Sequence, residues 1–186
     1  MKFVASLLAA ATVALAAVTA SAETYTVDGV HSSVVFRIKH NNVANFYGHI
    51  NFPEGSVVYD PAKPEASTFN ISVKTANIAT ANPQRDTHLK SADFFNAAEH
   101  PTITFKSTSV KKGAEPNALD VTGELTLHGV KKTVSVKIEM TGQATDGSLI
   151  GFETMFAIKR SDYGMAGFTN ILGDDVRLVV SLEAKK

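Results

Sequence analysis

The sequence contains no cysteine, so no disulfide can contribute to its stability. The same absence excludes a cysteine nucleophile and lipid attachment through an N-terminal cysteine. Tryptophan is also absent, whereas eleven phenylalanines are present. Because phenylalanine buries a large apolar surface without a polar atom, the aromatic contribution to the fold is mainly apolar. We therefore expect a fold that depends on burial and backbone hydrogen bonding alone.

The chain has no excess of charge of either sign. Eighteen lysines and arginines balance eighteen aspartates and glutamates. No basic stripe favours a nucleic acid, and no polybasic cluster favours an anionic membrane surface. We therefore expect no nucleic-acid partner.

A long hydrophobic run occurs only near the N-terminus. Lys2 is followed by an apolar run over residues 3–18 and by the small-residue pattern Ala20-Ser21-Ala22. The run is shorter than the ~18 residues or more expected of a membrane span. The pattern predicts a cleaved secretory signal peptide over residues 1–22 in preference to an anchor helix. Residues 23–186 would then form one domain of a soluble, exported protein without stable membrane insertion.

Alternation of apolar and polar residues dominates the remaining sequence. Residues 34–38, 69–73, 134–140 and 176–182 each place an apolar side chain at every second position. This period predicts an all-β domain of about eight antiparallel strands, each with one apolar face. The pair His128-Gly129 is typical of a two-residue hairpin. Such strands form either a closed barrel or a two-sheet sandwich, and the period alone does not choose between them.

The apolar parity predicts which side chains face the interior. These residues are Phe36, Ile38, Phe69, Ile71, Phe105, Val136, Phe152, Phe156, Leu178 and Val180. Lys132 shares the inward parity, so it requires a bulge or a position near a barrel end where its amine reaches water. Residues of this type can pack a dry core or line a hollow ligand tunnel.

One short helix is predicted in the second quarter of the chain. Asn82 is a favourable N-cap, and Pro83 suits the first helical position. Asp86 and Lys90 lie four residues apart, so their side chains could pair on one helix face.

The polar run that contains this helix has two interpretations. Arg85, His88 and Lys90 could meet an anionic or polar headgroup, while Phe94 and Phe95 join the apolar wall. A solvated helix explains the same charges, and we favour that interpretation for the run as a whole.

No local motif for metal binding or catalysis is present. The six histidines form neither an H-x-H nor an H-E-x-x-H pattern, and no G-x-S-x-G pattern occurs. Ligands or catalytic groups could still converge in space. We therefore predict no cofactor, no metal site and no catalytic residues.

Five motifs, taken in order, resemble the YceI-like family of exported, lipocalin-like proteins. They are DGVHSSVVF at residues 28–36, RD with HLKSADFF at 85–95, PTITF at 101–105, GELTLHGVKK at 123–132 and RSDYGM at 160–165. Residues 74–80 depart from the family pattern at a strand end. The resemblance implies an extended antiparallel β-barrel that encloses an apolar tunnel, with a polyisoprenoid or similar amphiphilic lipid as ligand. It also implies a periplasmic location and a link to isoprenoid quinones, and it supplies no catalytic residues.

These observations lead to one main hypothesis and two alternatives. The main hypothesis is non-catalytic binding, carriage or sequestration of such a lipid. The first alternative is a lipid-modifying enzyme that uses histidine and aspartate residues near the tunnel mouth. The second is an interaction module without a ligand. The sequence leaves the oligomeric state open, with a homodimer among the options.

Overall fold

The computed structural model describes residues 22–186, and antiparallel strands make up most of this range. The predicted signal peptide lies outside the described residues, except for Ala22. The strands are β1 Glu23–Val27, β2 Ser33–His40, β3 Ala44–Ile50, β4 Glu54–Tyr59, β5 Thr68–Lys74, β6 Ile78–Ala79, β7 Thr102–Lys112, β8 Ala118–Leu127, β9 Val130–Gln143, β10 Leu149–Lys159 and β11 Leu172–Lys185. The helix α1 spans Pro83–Lys90, and short 3₁₀ turns occur at Pro64–Ala66, Thr75–Asn77 and Arg160–Tyr163.

The eleven segments combine into eight long strands. β1 pairs with β4 and β2 pairs with β3, so residues 23–59 form one long hairpin in which both arms are interrupted. β5 and β6 likewise pair with β4 and β3 and continue one another. Each long strand pairs with the next along the chain, and β11 closes the ring by pairing with both β2 and β1. The prediction of an eight-stranded antiparallel barrel is confirmed, and the closing pairs exclude a sandwich.

The interruptions lie side by side and bend the barrel wall. Between β1 and β2, the Ser32 hydroxyl donates to the carbonyl of Glu183 and accepts from its N–H, so it replaces a missing ladder pair. Between β3 and β4, Pro53 has no N–H and Phe52 has a φ of +57°. Gly29 is required beside this bend because a Cβ there would lie 2.7 Å from the Pro53 carbonyl oxygen.

The predicted inward parity agrees with the burial of the strands. Phe36 and Phe69 are buried, whereas the side chain of Lys39 is exposed. Lys132 lies at the start of β9, near a barrel end, where its Nζ is 3.3 Å from Asp162 Oδ1. The second of the two placements predicted for Lys132 is therefore the observed one.

One end of the barrel is closed by a packed core. We call this region the closed end, and its buried members are Tyr25, Val57, Phe69, Val110, Leu119, Val121, Val136, Ile138, Ile150, Phe152 and Ala184. The ring of Phe152 makes edge-on contacts with the rings of Tyr59 and Phe69, at centroid distances of 5.6 and 5.2 Å. The apolar side chains of this end fill the barrel interior, so the rings of Phe69 and Phe152 are buried and that of Tyr59 is partly buried.

Residues 80–101, the cap segment, cross the other end of the barrel and contain α1. The N-cap prediction is confirmed, because the Asn82 side chain accepts a hydrogen bond from the N–H of Arg85. The Asp86–Lys90 pair is not formed. Asp86 Oδ1 instead accepts from the N–H and the hydroxyl of Thr80, which fixes α1 to the residue that follows β6. Bonds from Asp86 to Thr80 avoid the entropy cost of ordering the long side chain of Lys90, which the predicted ion pair would require. Within residues 22–186, no helix has both the length and the apolar character needed to cross a membrane.

Candidate functional site

The barrel contains an apolar cavity of about 560 Å³ between the closed end and the cap segment. This volume lies within the range of about 300–1,000 Å³ that is usual for small-molecule sites. Its apolar wall consists of Val34, Phe36, Ile38, Phe46, Ile50, Phe69, Ile71, Val73, Leu89, Phe94, Phe95, Ile103, Phe105, Leu125, Leu127, Val136, Ile138, Phe156, Ile158, Met165, Phe168, Ile171, Leu172, Val176, Leu178, Val180 and Leu182. The polar residues that border it are Ser72, Thr104 and Thr154 together with four basic residues described below.

The cavity opens at the end covered by the cap segment. The lining residues that are exposed are His40, Arg85, His88, Phe168 and Ile171, and we call the opening that they surround the mouth. All five belong to the β2–β3 hairpin, to α1, or to the loop of residues 164–171 that leads into β11, which we call the rim loop. A hydrogen bond from Asn41 N–H to the carbonyl of Ile171 joins the hairpin to the rim loop.

Two glycines explain why this part of the barrel is hollow. A Cβ on Gly48 would lie 2.2 Å from Cζ of Phe36, and a Cβ on Gly123 would lie 2.5 Å from Cζ of Phe105. The tip of each phenylalanine ring therefore occupies the space that a side chain on the neighbouring strand would fill. The cavity can stay open although its wall contains large side chains, because the two glycines leave room in the wall for those rings.

Eleven of the twelve residues predicted to line the tunnel border the cavity. They are Phe36, Ile38, Phe69, Ile71, Phe94, Phe95, Phe105, Val136, Phe156, Leu178 and Val180. The structure places Phe152 elsewhere, in the packed core of the closed end. The parity of Phe152 is inward as predicted, but parity does not give the depth of a residue along the barrel axis. Of the three residues predicted to meet a headgroup, Arg85 and His88 reach the mouth, whereas Lys90 does not border the cavity.

The mouth is framed by aromatic rings from two different loops. Phe94 of the cap segment stacks on Phe168 of the rim loop, with centroids 5.1 Å apart and planes 9° apart. The His88 ring contacts both of them edge-on, at 5.0 and 5.6 Å. His88 Nε2 also lies 2.9 Å from Asp93 Oδ2. These contacts hold the cap segment against the rim loop across the opening.

Arg85 is committed in part to the protein itself. Its Nε donates to the Thr80 hydroxyl at 2.8 Å, and its Nη2 donates to the Thr80 carbonyl at 2.6 Å. Its guanidinium carbon lies 4.4 Å from the centroid of the Phe46 ring. The remaining donors of the fork are free to meet a polar group at the mouth.

Sequence reasoning missed several lining residues on loops and strand ends. His40, Leu89 and Phe168 lie outside the long alternating runs or at their ends, so period-two counting gave no signal for them. Phe46 belongs to the alternation of β3 and could have been identified from it. Arg160 is the least expected, since it is a charged residue that is buried in the cavity wall.

A second cluster of polar groups lies on the outer wall, where β1 ends. Asp28, His31 and Glu183 bring one potential metal-ligand atom each within 4.8 Å of one another. Local sequence spacing gave no sign of this convergence. Lys185 Nζ lies 3.0 Å from Asp28 Oδ2, so an ammonium group already compensates the carboxylate. The hydrogen bond from Lys185, with further bonds from Val30 N–H and His31, lowers the pKa of Asp28 to about 2. The group is an ion-pair network that ties β1 to β11.

An up-and-down eight-stranded barrel with an apolar cavity open at one end defines a lipocalin-like protein. The model of the YceI-like domain matches residues 25–184, which is nearly all of the described chain. The chain therefore belongs to the YceI-like family, as the motifs indicated.

Relatives and solved structures agree with this assignment. A UPF0312 protein of Azotobacter vinelandii is 38% identical over 181 residues, covering 95% of this chain and 94% of the relative. Protein YceI of Escherichia coli is 38% identical over 159 residues, covering 84% of this chain and 82% of the relative. The crystal structure of Burkholderia cenocepacia BcnA superposes with a TM-score of 0.77 at 25% identity, covering 84% of this chain and 98% of BcnA. A polyisoprenoid-binding domain of Saccharophagus degradans shares the fold, with a TM-score of 0.69 at 14% identity and coverage of 87% and 97%.

Proposed function

We propose that this protein binds and carries a polyisoprenoid or a similar amphiphilic lipid, without changing it chemically. The observation that supports this proposal is the apolar cavity of about 560 Å³, which is blocked at the closed end and open at the mouth. A ligand that fills such a space must be a long, mostly apolar molecule that carries a polar group at no more than one end. The polyisoprenoid-binding domain of Saccharophagus degradans has the same fold, and the named ligand of that domain is of this kind.

Burial of the chain is sufficient for useful affinity. Each buried CH₂ contributes about 0.8 kcal/mol, so a five-carbon isoprene unit contributes roughly 4 kcal/mol before the cost of ordering. A few units would reach micromolar binding, which corresponds to about −8 kcal/mol. The protein therefore needs no strong headgroup site for affinity, and polar groups at the mouth would mainly orient the lipid.

The experiment for the tail uses two neighbouring residues on opposite faces of β10. Phe156 borders the cavity, whereas Met155 is 70% exposed on the outside. Phe156→Glu should abolish lipid binding because an unpaired charge in the cavity wall is very costly. Met155→Glu should leave binding unchanged. Mass spectrometry of organic extracts from both purified variants measures the bound lipid, and equal lipid contents would contradict the proposal.

The headgroup is proposed to lie at the mouth, near Arg85 and His88. Arg85→Ala should weaken lipids with an anionic head by about 1–3 kcal/mol if a charged hydrogen bond is lost, and should weaken neutral lipids much less. Lys90→Ala is the matched control, because Lys90 lies on the same helix but does not border the cavity. If Arg85→Ala loses the same affinity for anionic and for neutral lipids, Arg85 does not contact the headgroup.

One observation favours the enzymatic alternative. His88 and Asp93 form a pair at the mouth in which the carboxylate could orient the imidazole as a base. Incubation with a defined lipid followed by mass spectrometry separates the two functions. Recovery of the unchanged lipid supports carriage. A product that the unaltered protein forms and His88→Ala does not form supports an enzyme.

The cellular setting is proposed from the sequence pattern. Export to the periplasm through a signal peptide over residues 1–22 predicts a mature protein that begins at Glu23. Intact-mass analysis of exported material tests this directly. The oligomeric state stays open, with a homodimer among the options, and light scattering of the mature protein would determine it.

A further inference from the structure

Arg160 is a buried cation in the wall of the cavity. It follows β10 on the inward parity shared with Phe156 and Ile158, and only 5% of its surface is exposed. Its Nε donates to the carbonyl of Gly173 at 2.9 Å, its Nη1 to Met165 at 2.5 Å and its Nη2 to Leu172 at 3.3 Å. A guanidinium has five N–H donors, so two remain after these three bonds.

All three acceptors of Arg160 are neutral carbonyls, and the nearby carboxylates are used elsewhere. Asp162 lies 3.3 Å from Lys132 Nζ. Both oxygens of Asp174 accept from Ser161, one from its N–H and one from its hydroxyl, and these bonds are the main cause of the lowered pKa of the Asp174 carboxyl, to which the charges of Lys159 and Arg160 add. Asp174 is also 3.8 Å from Lys159 Nζ. No carboxylate of the described chain lies within ion-pair distance of Arg160, although buried charges in proteins are normally paired.

The other ionisable groups around the cavity do not supply the missing charge. Among the described residues that line the cavity, the ionisable ones are His40, Arg85, His88 and Arg160, and none is acidic. Asp93 lies beside His88, outside this lining. The ionisable groups of the cavity lining are therefore all basic, and the low dielectric of the apolar wall strengthens the attraction of the two arginines for an anion.

We propose that Arg160 anchors the oxyanion headgroup, a carboxylate or a phosphate, of the bound lipid beneath the rim loop. This inference rests on the proposed function and narrows it to lipids with an anionic head. Arg160 suits this role better than Arg85, because Arg85 lies exposed on the cap segment and pairs with Thr80. A guanidinium fork held by three carbonyls is already oriented and partly desolvated, so it needs little reorganisation to bind an oxyanion.

The experiment compares three probes that share one eighteen-carbon chain and differ in the head: a carboxylate, a monoalkyl phosphate and an alcohol. Dissociation constants are measured at pH 7 for the unaltered protein, Arg160→Gln and Arg85→Gln. We expect the unaltered protein to bind at least one of the two anions at least tenfold more tightly than the alcohol. The anion that is favoured identifies the head. Arg160→Gln should bring this anion and the alcohol to within about twofold, while Arg85→Gln should reduce the preference without removing it.

Other results would overturn the proposal without being confused with a failed lipid site. If the unaltered protein binds all three probes equally, the cavity holds lipids and Arg160 only braces the rim loop. If no probe binds, the proposed function itself fails. If Arg85→Gln removes the preference and Arg160→Gln does not, the anion site is on the cap segment.

A second measurement remains informative if Arg160→Gln does not fold. The carboxylate probe is labelled with ¹³C at the carboxyl carbon, and its chemical shift is followed by NMR during acid titration of the complex with the unaltered protein. A carboxylate that faces the buried guanidinium should stay ionised below about pH 4, the ordinary range for carboxyl groups. A midpoint at or above that range would show a carboxyl without a close cation and would overturn the proposal.

Discussion

The two ends of this barrel use the same type of residue for opposite purposes. At the closed end, Phe69 and Phe152 are each only 1% exposed, and they contact one another edge-on. At the mouth, Phe94 and Phe168 stack on one another, yet Phe168 is 39% exposed and belongs to a loop. Rings buried between strands stabilise the whole fold, whereas rings that join two loops can separate without unfolding it. The comparison indicates that one end supplies stability, and it places the proposed exchange of ligand at the other.

The largest expected effect comes from removing a ring at the closed end. Phe152→Ala should lower the free energy of unfolding by about 3–5 kcal/mol, because it leaves a cavity among fully buried neighbours. Met155→Ala, on the exposed face of the same strand, should change it by less than about 0.5 kcal/mol. Denaturant unfolding of both variants measures the difference, and similar values would contradict the division between the ends.

A smaller effect on stability is expected where the wall is thinned for a ring. Gly48→Ala places a Cβ within 2.2 Å of Phe36 and should force the ring toward the lumen. Overpacking of this kind costs about 1–3 kcal/mol, and lipid binding should weaken as the lumen narrows. Gly142→Ala is the control, because no atom lies within 4 Å of the added Cβ. The idea fails if both alanines have the same effect on lipid affinity.

At the mouth, the expected change is kinetic more than thermodynamic. Phe168→Ala should change the free energy of unfolding by less than about 1 kcal/mol, because the ring is partly exposed. It should increase the rate of lipid release, since it removes the stack with Phe94 that holds the two loops together. Phe52→Ala is the matched control: Phe52 is also exposed and also has a positive φ, but it lies away from the mouth. Stopped-flow release of a fluorescent lipid distinguishes the variants, and equal rates would argue against a gating role.

The smallest effect concerns the ion pairs on the outer wall. The pKa of Asp28 is lowered to about 2, chiefly by its hydrogen bond from Lys185, so its contribution to stability is present above its unfolded value near 4. That contribution disappears as the pH falls through about 2. Asp28→Asn should therefore lose less stability between pH 4 and pH 2 than the unaltered protein. Asp120→Asn, at an exposed position on β8, serves as the control. Parallel pH profiles for the unaltered protein and Asp28→Asn would exclude this role for Asp28.

Much of the fold follows from the sequence because period-two alternation reports directly on which face of a strand is buried. Phe36, Phe69 and Phe156 were placed on the inner face in this way. The position of Phe152 was not predictable, because alternation carries no information about height along the barrel. A residue near the middle of a strand can face either a lumen or a packed core, depending on neighbours that are distant in sequence.

The hollow lumen and the buried arginine were beyond the reach of pattern analysis for a different reason. Whether Phe36 fills the lumen depends on Gly48, which lies opposite it on another strand and has no side chain to count. The burial of Arg160 depends on three backbone carbonyls of the rim loop and β11, so no pattern of side chains in the sequence predicts it. The family motifs contained Arg160 but gave no indication of its role. Both features are properties of the closed ring and become visible only when its strands are paired.

The closing pairs of the barrel also constrain when the chain can fold. β11, near the C-terminus, completes the ring by pairing with β2 and β1, near the start of the described chain. Until its last strand leaves the ribosome, the protein has a sheet with two unpaired edges and cannot enclose a lumen. The contact between segments about 150 residues apart has the largest loop-closure entropy, so it is the slowest to form. A chain with this connectivity therefore cannot close its barrel, or form the apolar cavity, before its last strand has been synthesised.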